Sequence, residues 1–202
     1  MGSPELRERL SRSGVEDGAA RVAILGWLEL LVTWNAKIDL TAARTDDELV
    51  DLMVADALAL APRLPPKARV VDVGSGAGAP GLAIALLRPD LVVTLCEPLA
   101  KRAAFLRTVL GTLGRVDVGL RRTCGEDLPA GVWDVAVSRA TLPPAAWLAL
   151  GERLAGDTWV LLAKEPPPPA QSSRIAEDVV YRWTLTGVER RAVRFTRAPE
   201  PR

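Results

Sequence analysis

The glycine-rich segment at residues 70–81, VVDVGSGAGAPG, carries the residue types and spacing that most directly suggest chemistry. A β-branched run ends at Asp72, a turn packed with glycines follows, and an apolar helix is predicted from Gly81. Glycines suit a place where the backbone turns tightly against a ligand, and the free amides of a helix start attract polar groups. The segment therefore predicts a binding site for a nucleotide-type cofactor.

The glycines alone do not identify that cofactor, because Gly76, Gly78 and Gly81 also satisfy the dinucleotide pattern G-x-G-x-x-G. Two other residues favour S-adenosylmethionine. Asp72 can orient the loop or accept a hydrogen bond from a cationic amino-acid head group. Pro80 removes an amide donor where a pyrophosphate would need one, and S-adenosylmethionine carries no phosphate. We therefore predict S-adenosylmethionine as the cofactor.

Composition restricts the remaining chemistry. The chain has 202 residues, a net charge of +1 from 26 basic and 25 acidic side chains, and no histidine. Histidine-based triads and histidine-ligated metals are excluded, and any contact with nucleic acid must come from local basic patches. Cys96 and Cys124 lack metal spacing, and we expect both to be buried or half-buried. We expect no metal, no signal peptide, no membrane span and a cytoplasmic location.

The elements that must position the loop alternate between strand and helix. An N-terminal helical cap (residues 1–66) is predicted from apolar stripes over residues 19–34 and from residue 46 onwards. A Rossmann-like domain (residues 67–202) follows, with strands at 69–73, 91–96, 116–121, 133–138 and 158–163 and helices at 81–87, 101–113 and 144–154. Residues 179–185 and 188–196 predict a terminal antiparallel hairpin. The fold class is α/β: a class I methyltransferase with a mostly parallel seven-stranded sheet.

Strand ends project into one crevice, which brings distant candidate residues together. Glu97 ends the second strand, where it can bind ribose hydroxyls or cap the following helix. Glu126 can contact adenine or lie in a solvated turn. Arg139 follows the fourth strand, where it can meet substrate near the methyl group or be a surface charge. Lys164 follows the fifth strand, where it can contact substrate or extend its charge into solvent. The predicted cofactor-binding residues are Asp72, Gly74, Ser75, Gly76, Gly78, Pro80, Glu97, Pro98, Gly125, Glu126 and Arg139.

Several segments match the signatures of one family. They are WNAKIDLT at 34–41, DVGSGAGAPG at 72–81, RPD at 88–90, KR at 101–102, FL at 105–106 and SRA at 138–140. On these segments the chain resembles the RsmG (glucose-inhibited division protein B) family of 16S rRNA guanine-N7 methyltransferases. The resemblance implies methyl transfer to guanine N7 in 16S rRNA of the small ribosomal subunit. The partner would be that RNA, and we expect a monomer.

The chain also departs from the pattern of that family. Leu52 and Met53 stand where the family usually has a basic pair, Cys124 where it often has an arginine, and Glu165 where it usually has a glycine. The donor side is therefore kept, while the acceptor side has lost positive charge, which weakens RNA binding.

Guanine N7 carries an in-plane lone pair and no proton, so the reaction needs no general base. We expect Arg139, with Lys164, to position the acceptor base or its phosphate, and Asp56 to help shape the pocket. Asn35 and Thr41 are expected to organise the turn between the cap and the core. Three alternatives remain: a methyltransferase with a different acceptor, a non-catalytic S-adenosylmethionine-binding module, and a nicotinamide oxidoreductase.

Overall fold

A single sheet of seven strands runs through the part of the chain that the structure, a computed structural model, describes: residues 4–170 and 172–197. The strands are β1 (Arg69–Val73), β2 (Val92–Cys96), β3 (Gly119–Arg121), β4 (Trp133–Ser138), β5 (Ala155–Leu162), β6 (Ser173–Arg182) and β7 (Glu189–Arg197). Their order is β3-β2-β1-β4-β5-β7-β6. Strands β1 to β5 are parallel, whereas β7 is antiparallel to β5 and to β6. The predicted Rossmann-like sheet with a terminal antiparallel hairpin is confirmed.

The helices cover this sheet and include one that the sequence analysis missed. They are α1 (Pro4–Arg12), α2 (Ala19–Asn35), α3 (Asp46–Leu60), α4 (Gly81–Leu87), α5 (Ala100–Thr112) and α6 (Pro144–Leu154). The predicted bounds of α4 and α6 are confirmed. Helix α1 was not predicted because its buried residues, Leu6 and Leu10, are two apolar positions among charged ones, too few to show a period.

Three local predictions need correction. The apolar stripe predicted over residues 19–34 includes Val22 and Val32, but both are exposed, and the helix buries Ile24, Leu25, Trp27, Leu28 and Leu31. The third strand starts at Gly119 rather than at Val116, because Val116 lies in an exposed turn closed by the Arg115–Asp117 ion pair. The hairpin is longer than predicted, since β6 starts at Ser173.

The N-terminal helices and the sheet share one hydrophobic cluster. Trp27 and Leu28 of α2 and Val54 of α3 are fully buried in the same cluster as Ile84 of α4 and Leu106 of α5. The division of the chain at residue 66 into a cap and a domain stays a prediction. Among the described residues, every helix is too short or too polar to span a bilayer.

A buried carboxylate joins α3 to the end of the hairpin. Asp51 is fully buried, and its Oδ2 accepts hydrogen bonds from the Thr186 amide at 2.7 Å and the Thr186 hydroxyl at 2.8 Å. The Leu185 amide donates to the same oxygen at 3.1 Å. Buried charges are tolerated when they are hydrogen-bonded in this way. Asp51 therefore fixes the position of the hairpin turn against the helical layer.

We predict that Asp51→Asn lowers the free energy of unfolding by about 2–4 kcal/mol, because the amide group replaces an acceptor oxygen and leaves buried donors unpaired. Urea unfolding measures the loss. Asp17→Asn, at a side chain that is 90% exposed, is the control and should cost less than about 1 kcal/mol. Equal effects of the two substitutions would contradict the role assigned to Asp51.

Candidate active site

The carboxyl ends of the parallel strands open into a cavity of about 520 Å³, which we call the donor cavity. Ligands of open α/β sheets bind at this edge. The walls come from the loop after β1, the segment from β2 into α5, the turn after β4, the stretch between α2 and α3, and α3 itself. The lining residues are Leu40, Thr41, Ala42, Leu52, Met53, Gly74, Ser75, Gly76, Ala77, Ala79, Glu97, Pro98, Leu99, Arg102, Arg139, Ala140 and Thr141.

The glycine loop after β1 owes its shape to its neighbours as well as to its backbone. Gly74 has a φ of +73°, and a Cβ there would lie 2.2 Å from Thr141 Oγ1. Gly78 has a φ of +115°, and its Cβ would lie 2.9 Å from the Trp27 ring. The indole Nε1 of Trp27 donates to the Ala77 carbonyl at 2.9 Å. Helix α2 therefore supports the loop directly, a role that the sequence analysis did not assign to Trp27.

Asp72 orients the loop from behind and does not line the donor cavity. The residue is fully buried, and its Oδ2 accepts from the Gly81 amide at 2.9 Å at the start of α4. Its Oδ1 has no hydrogen-bond partner among the described residues. Burial raises the pKa of the carboxyl to about 7. Of the two predicted roles, the geometry favours loop orientation over contact with a ligand.

Glu97 lines the donor cavity and connects the loop after β1 to the segment before α5, whereas its contact with ribose stays a prediction. Its Oε2 accepts from the Gly76 amide at 2.9 Å, and its Oε1 accepts from the Leu99 amide at 2.8 Å, just before α5. The side chain is 2% exposed. Each carboxylate oxygen has a second lone pair, so ribose hydroxyls can still donate to it.

The structure brings six of the predicted cofactor-binding residues to the donor cavity: Gly74, Ser75, Gly76, Glu97, Pro98 and Arg139. Asp72, Gly78, Pro80, Gly125 and Glu126 do not line it. Gly125 is required for packing, because a Cβ there would lie 2.7 Å from Val73 Cγ1. Glu126 is exposed, and its carbonyl accepts from Arg153.

A second cavity of about 360 Å³, the acceptor cavity, adjoins the first. The two cavities share Leu52, Arg139 and Ala140. Ala140 has a φ of +53°, a conformation that costs energy in a non-glycine residue and clusters at functional sites. The other lining residues are Asp56, Ser138, Leu142, Pro144, Trp147, Val160, Leu161, Leu162, Ala163, Glu165, Tyr181, Trp183 and Arg190.

Asp56 is the centre of a hydrogen-bond network in the wall of the acceptor cavity. The side chain is 3% exposed, and its Oδ1 accepts from Tyr181 Oη at 2.7 Å and from Trp183 Nε1 at 3.1 Å. Its Oδ2 accepts from Arg139 Nη1 at 3.2 Å. The same guanidinium nitrogen donates to the Leu52 carbonyl. The carboxylate thus joins α3, the turn after β4 and the hairpin.

The sequence analysis missed the contribution of the hairpin to this cavity. Tyr181, Trp183 and Arg190 line it, and Arg190 Cζ lies 4.4 Å from the centre of the Trp183 ring. The spacing of Tyr181 and Trp183 could have indicated this contribution, because residues two apart lie on the same face of a strand. Burial and the nearby Asp56 raise the pKa of Tyr181, so its phenol stays protonated.

The remaining predicted residues divide between the site and the scaffold. Lys164 is exposed and lines neither cavity, although Ala163 and Glu165 beside it line the acceptor cavity. Asn35 Oδ1 accepts from the amides of Leu40 and Thr41 at 2.8 and 3.0 Å. Asn35 therefore organises a turn as predicted, but this turn joins α2 to α3 and does not connect the cap to the core.

The prediction of burial is confirmed for one of the two cysteines and is wrong for the other. Cys96 is buried as expected, but Cys124 is exposed, because it lies in the loop between β3 and a short turn rather than in the sheet. Leu52 and Met53 give the donor cavity an apolar wall. Within residues 4–170 and 172–197, acidic and cysteine side chains form no group suited to a metal ion.

Comparison with known proteins gives a consistent assignment. The family model GidB, described as rRNA small subunit methyltransferase G, matches residues 22–164. Two proteins named ribosomal RNA small subunit methyltransferase G are among the similar sequences. The one from Anaeromyxobacter dehalogenans (strain 2CP-C) is 40% identical over 178 residues, 86% of this chain and 82% of that protein. The one from Halorhodospira halophila is 38% identical over 78% of this chain and 76% of that protein.

Solved structures agree on the fold. A SAM-dependent methyltransferase from Aquifex aeolicus has a TM-score of 0.54 at 17% identity, covering 74% of this chain and 92% of that one. TYW2 from M. jannaschii, solved in complex with AdoMet, has a TM-score of 0.56 at 13% identity. That match covers 81% of this chain and 80% of the TYW2 chain.

We predict that raising the pH from about 5 to about 7 lowers the free energy of unfolding by about 2 kcal/mol through Asp72. The folded state keeps the proton up to a pKa of about 7, whereas the unfolded chain releases it near 3.8, so stability is lost as the pH rises. No histidine adds a competing titration. Urea unfolding at each pH measures the slope.

Asp72→Asn provides the comparison, because it keeps an acceptor for Gly81 but cannot titrate. The variant should show little change in stability over the same pH range. A variant with the same slope as the wild type would show that another group is responsible.

Proposed function

The chain belongs to the GidB family, rRNA small subunit methyltransferase G, and from this premise we propose that it transfers the S-adenosylmethionine methyl group to N7 of a guanine in 16S rRNA. One structural observation is the main support for this proposal. The donor and acceptor cavities meet at Leu52, Arg139 and Ala140, so a cofactor in one and a base in the other would lie side by side. Methyl transfer requires this adjacency, because donor and acceptor atoms must be in line.

The donor cavity fits S-adenosylmethionine. The loop presents backbone without side chains at Gly74 and Gly76, and Glu97 provides a buried carboxylate for ribose hydroxyls. We assign Gly74, Ser75, Gly76, Glu97 and Pro98 to direct contact with the cofactor. When bound, S-adenosylmethionine supplies an activated methyl group on a sulfonium sulfur. Asp72, Gly78 and Pro80 act indirectly, by setting the shape of the loop, and Gly125 by packing under the next turn.

The residues of the acceptor cavity suit a reaction that needs no general base. The oxygens of Asp56 already accept bonds from Tyr181, Trp183 and Arg139, and the phenol of Tyr181 stays protonated. Guanine N7 can attack the methyl group with its own lone pair. The protein therefore contributes alignment and exclusion of water rather than proton transfer.

Arg139 has the central positioning role in this proposal. It lies in the wall between the two cavities, and Asp56 and the Leu52 carbonyl fix its guanidinium group. From this place it can donate to the acceptor base or to its phosphate. Asp56 is then a positioning residue that acts through Arg139. Lys164, exposed beside the acceptor cavity, is assigned to a phosphate of the RNA.

A basic groove next to the donor cavity gives the RNA backbone a second place to bind. Lys37, Lys101 and Arg102, with one acidic residue, Asp39, line a groove of about 550 Å³, and Arg102 also lines the donor cavity. In the described part of the chain, none of the three forms an ion pair, so their charges are available for phosphates. We propose that a monomer binds the small ribosomal subunit in the cytoplasm, with this groove compensating for the apolar Leu52 and Met53.

The test of the proposal is transfer of tritium from labelled S-adenosylmethionine to 30S subunits and to naked 16S RNA that lack the modification. We expect label to be recovered as 7-methylguanosine after digestion to nucleosides. Cofactor binding measured by calorimetry, without label on either RNA, would instead indicate a different acceptor or a binding protein without transfer.

Arg139→Ala should lower kcat/KM for RNA by about 100-fold, since misplacement of the acceptor by about 1 Å costs that much. The affinity for S-adenosylmethionine, measured by calorimetry, should stay within about threefold. Arg12→Ala, at a side chain that is 58% exposed on α1, is the matched control and should behave as the wild type. Equal losses of transfer and of cofactor affinity would contradict the role given to Arg139.

A further inference from the structure

Glu165 places a negative charge in the acceptor cavity that the mechanism above does not use. The residue follows β5, and with Ala163 it forms part of the cavity wall. Its Oε2 accepts from the amides of Ala163 at 3.2 Å and Lys164 at 3.1 Å. No hydrogen bond from another described residue ends on Oε1. The loop thus fixes one oxygen, and because the side chain is exposed at the wall of the cavity, the other oxygen is free to accept from a bound molecule.

The surroundings of Glu165 keep it ionised. Backbone amides of its own loop lower the pKa of the carboxyl, and Arg190 lowers it further. Arg190 is itself held over the Trp183 ring in the same wall. At neutral pH the cavity therefore presents a pure acceptor at this point, and a ligand must donate hydrogen bonds to it.

The hydrogen-bonding groups on the two edges of a purine determine which base such an acceptor can recognise. Guanine has its N7 and O6 acceptors on one edge, and its N1–H and 2-amino donors on the Watson–Crick edge. If N7 points to the donor cavity beside Arg139, the donor edge points away from that cavity. Enzymes that modify a base commonly read its Watson–Crick edge in the pocket, between aromatic side chains. Trp147, Tyr181 and Trp183 supply such side chains here.

We propose that Glu165, at a position where the family usually has a glycine, gives this chain a guanine contact of its own, by accepting hydrogen bonds from N1–H and the 2-amino group of the base. Adenine also offers an N7, but its N1 is an acceptor that the carboxylate repels. The assignment rests on the proposed function, because it takes the acceptor cavity as the site of the base. It adds to that function a residue that distinguishes guanine from adenine, two bases whose N7 atoms are equally accessible.

The test uses 30S subunits reconstituted with 16S RNA that carries guanosine, inosine or adenosine at the position methylated by the wild-type enzyme. Inosine keeps N7, O6 and N1–H but lacks the 2-amino group. The wild type should prefer guanosine to adenosine by about 100-fold or more in kcat/KM, with inosine between them. Glu165→Gln should lower the guanosine value by about 10- to 100-fold and reduce the guanosine-to-adenosine ratio to about 10 or less.

Two further variants separate specificity from loop structure. Glu165→Ala should also reduce the ratio, while Glu16→Gln, at an exposed residue before α2, should leave every value unchanged. Calorimetric affinity for S-adenosylmethionine checks that each variant is folded. If Glu165 only shaped the loop, its variants would lose activity equally on all three RNAs, and the unchanged ratio would overturn the assignment. A wild type that labels none of the RNAs would overturn the proposed function itself, and with it this assignment.

Discussion

The hydrogen bonds to the buried carboxylate of Asp56 are the interaction on which the candidate site depends. A charge that is 3% exposed is tolerated only when donors surround it, and here they come from Tyr181, Trp183 and Arg139. Those residues belong to segments far apart in the chain. Satisfying one carboxylate therefore closes the wall of the acceptor cavity, fixes Arg139 and docks the hairpin in one arrangement.

Two other buried aspartates act in the same way at other places. Asp51 holds the hairpin turn against α3, and Asp72 holds the start of α4 against β1. Each accepts from backbone amides that would otherwise be buried without a partner. The helical layer and the hairpin are consequently parts of the site, and neither is an attachment to a finished sheet.

The sheet and the donor side could be predicted from the sequence because their signals are local. The strand–turn–helix pattern around Gly74 and the acidic residue at Glu97 lie within short stretches of chain. Spacing does not distinguish a glycine that faces a ligand from one that a neighbour requires, which is why Gly125 was assigned to the cofactor. The sequence did not show that hairpin residues line the acceptor cavity, because the contact between Asp56 and Tyr181 joins residues 125 positions apart.

The donor cavity is built from local contacts and the acceptor cavity from long-range ones, and the two cavities therefore differ in the substitutions that they tolerate. The donor cavity depends on backbone amides and on glycines crowded by Thr141 and Trp27, so most substitutions there would distort the loop. The acceptor cavity is lined instead by side chains from four separate segments of the chain. Because Glu165 lines only the acceptor cavity, it can affect which base is accepted without altering how the methyl donor is held. The resemblance in the donor loop identifies the reaction, whereas the substrate must be inferred from the residues that line the acceptor cavity.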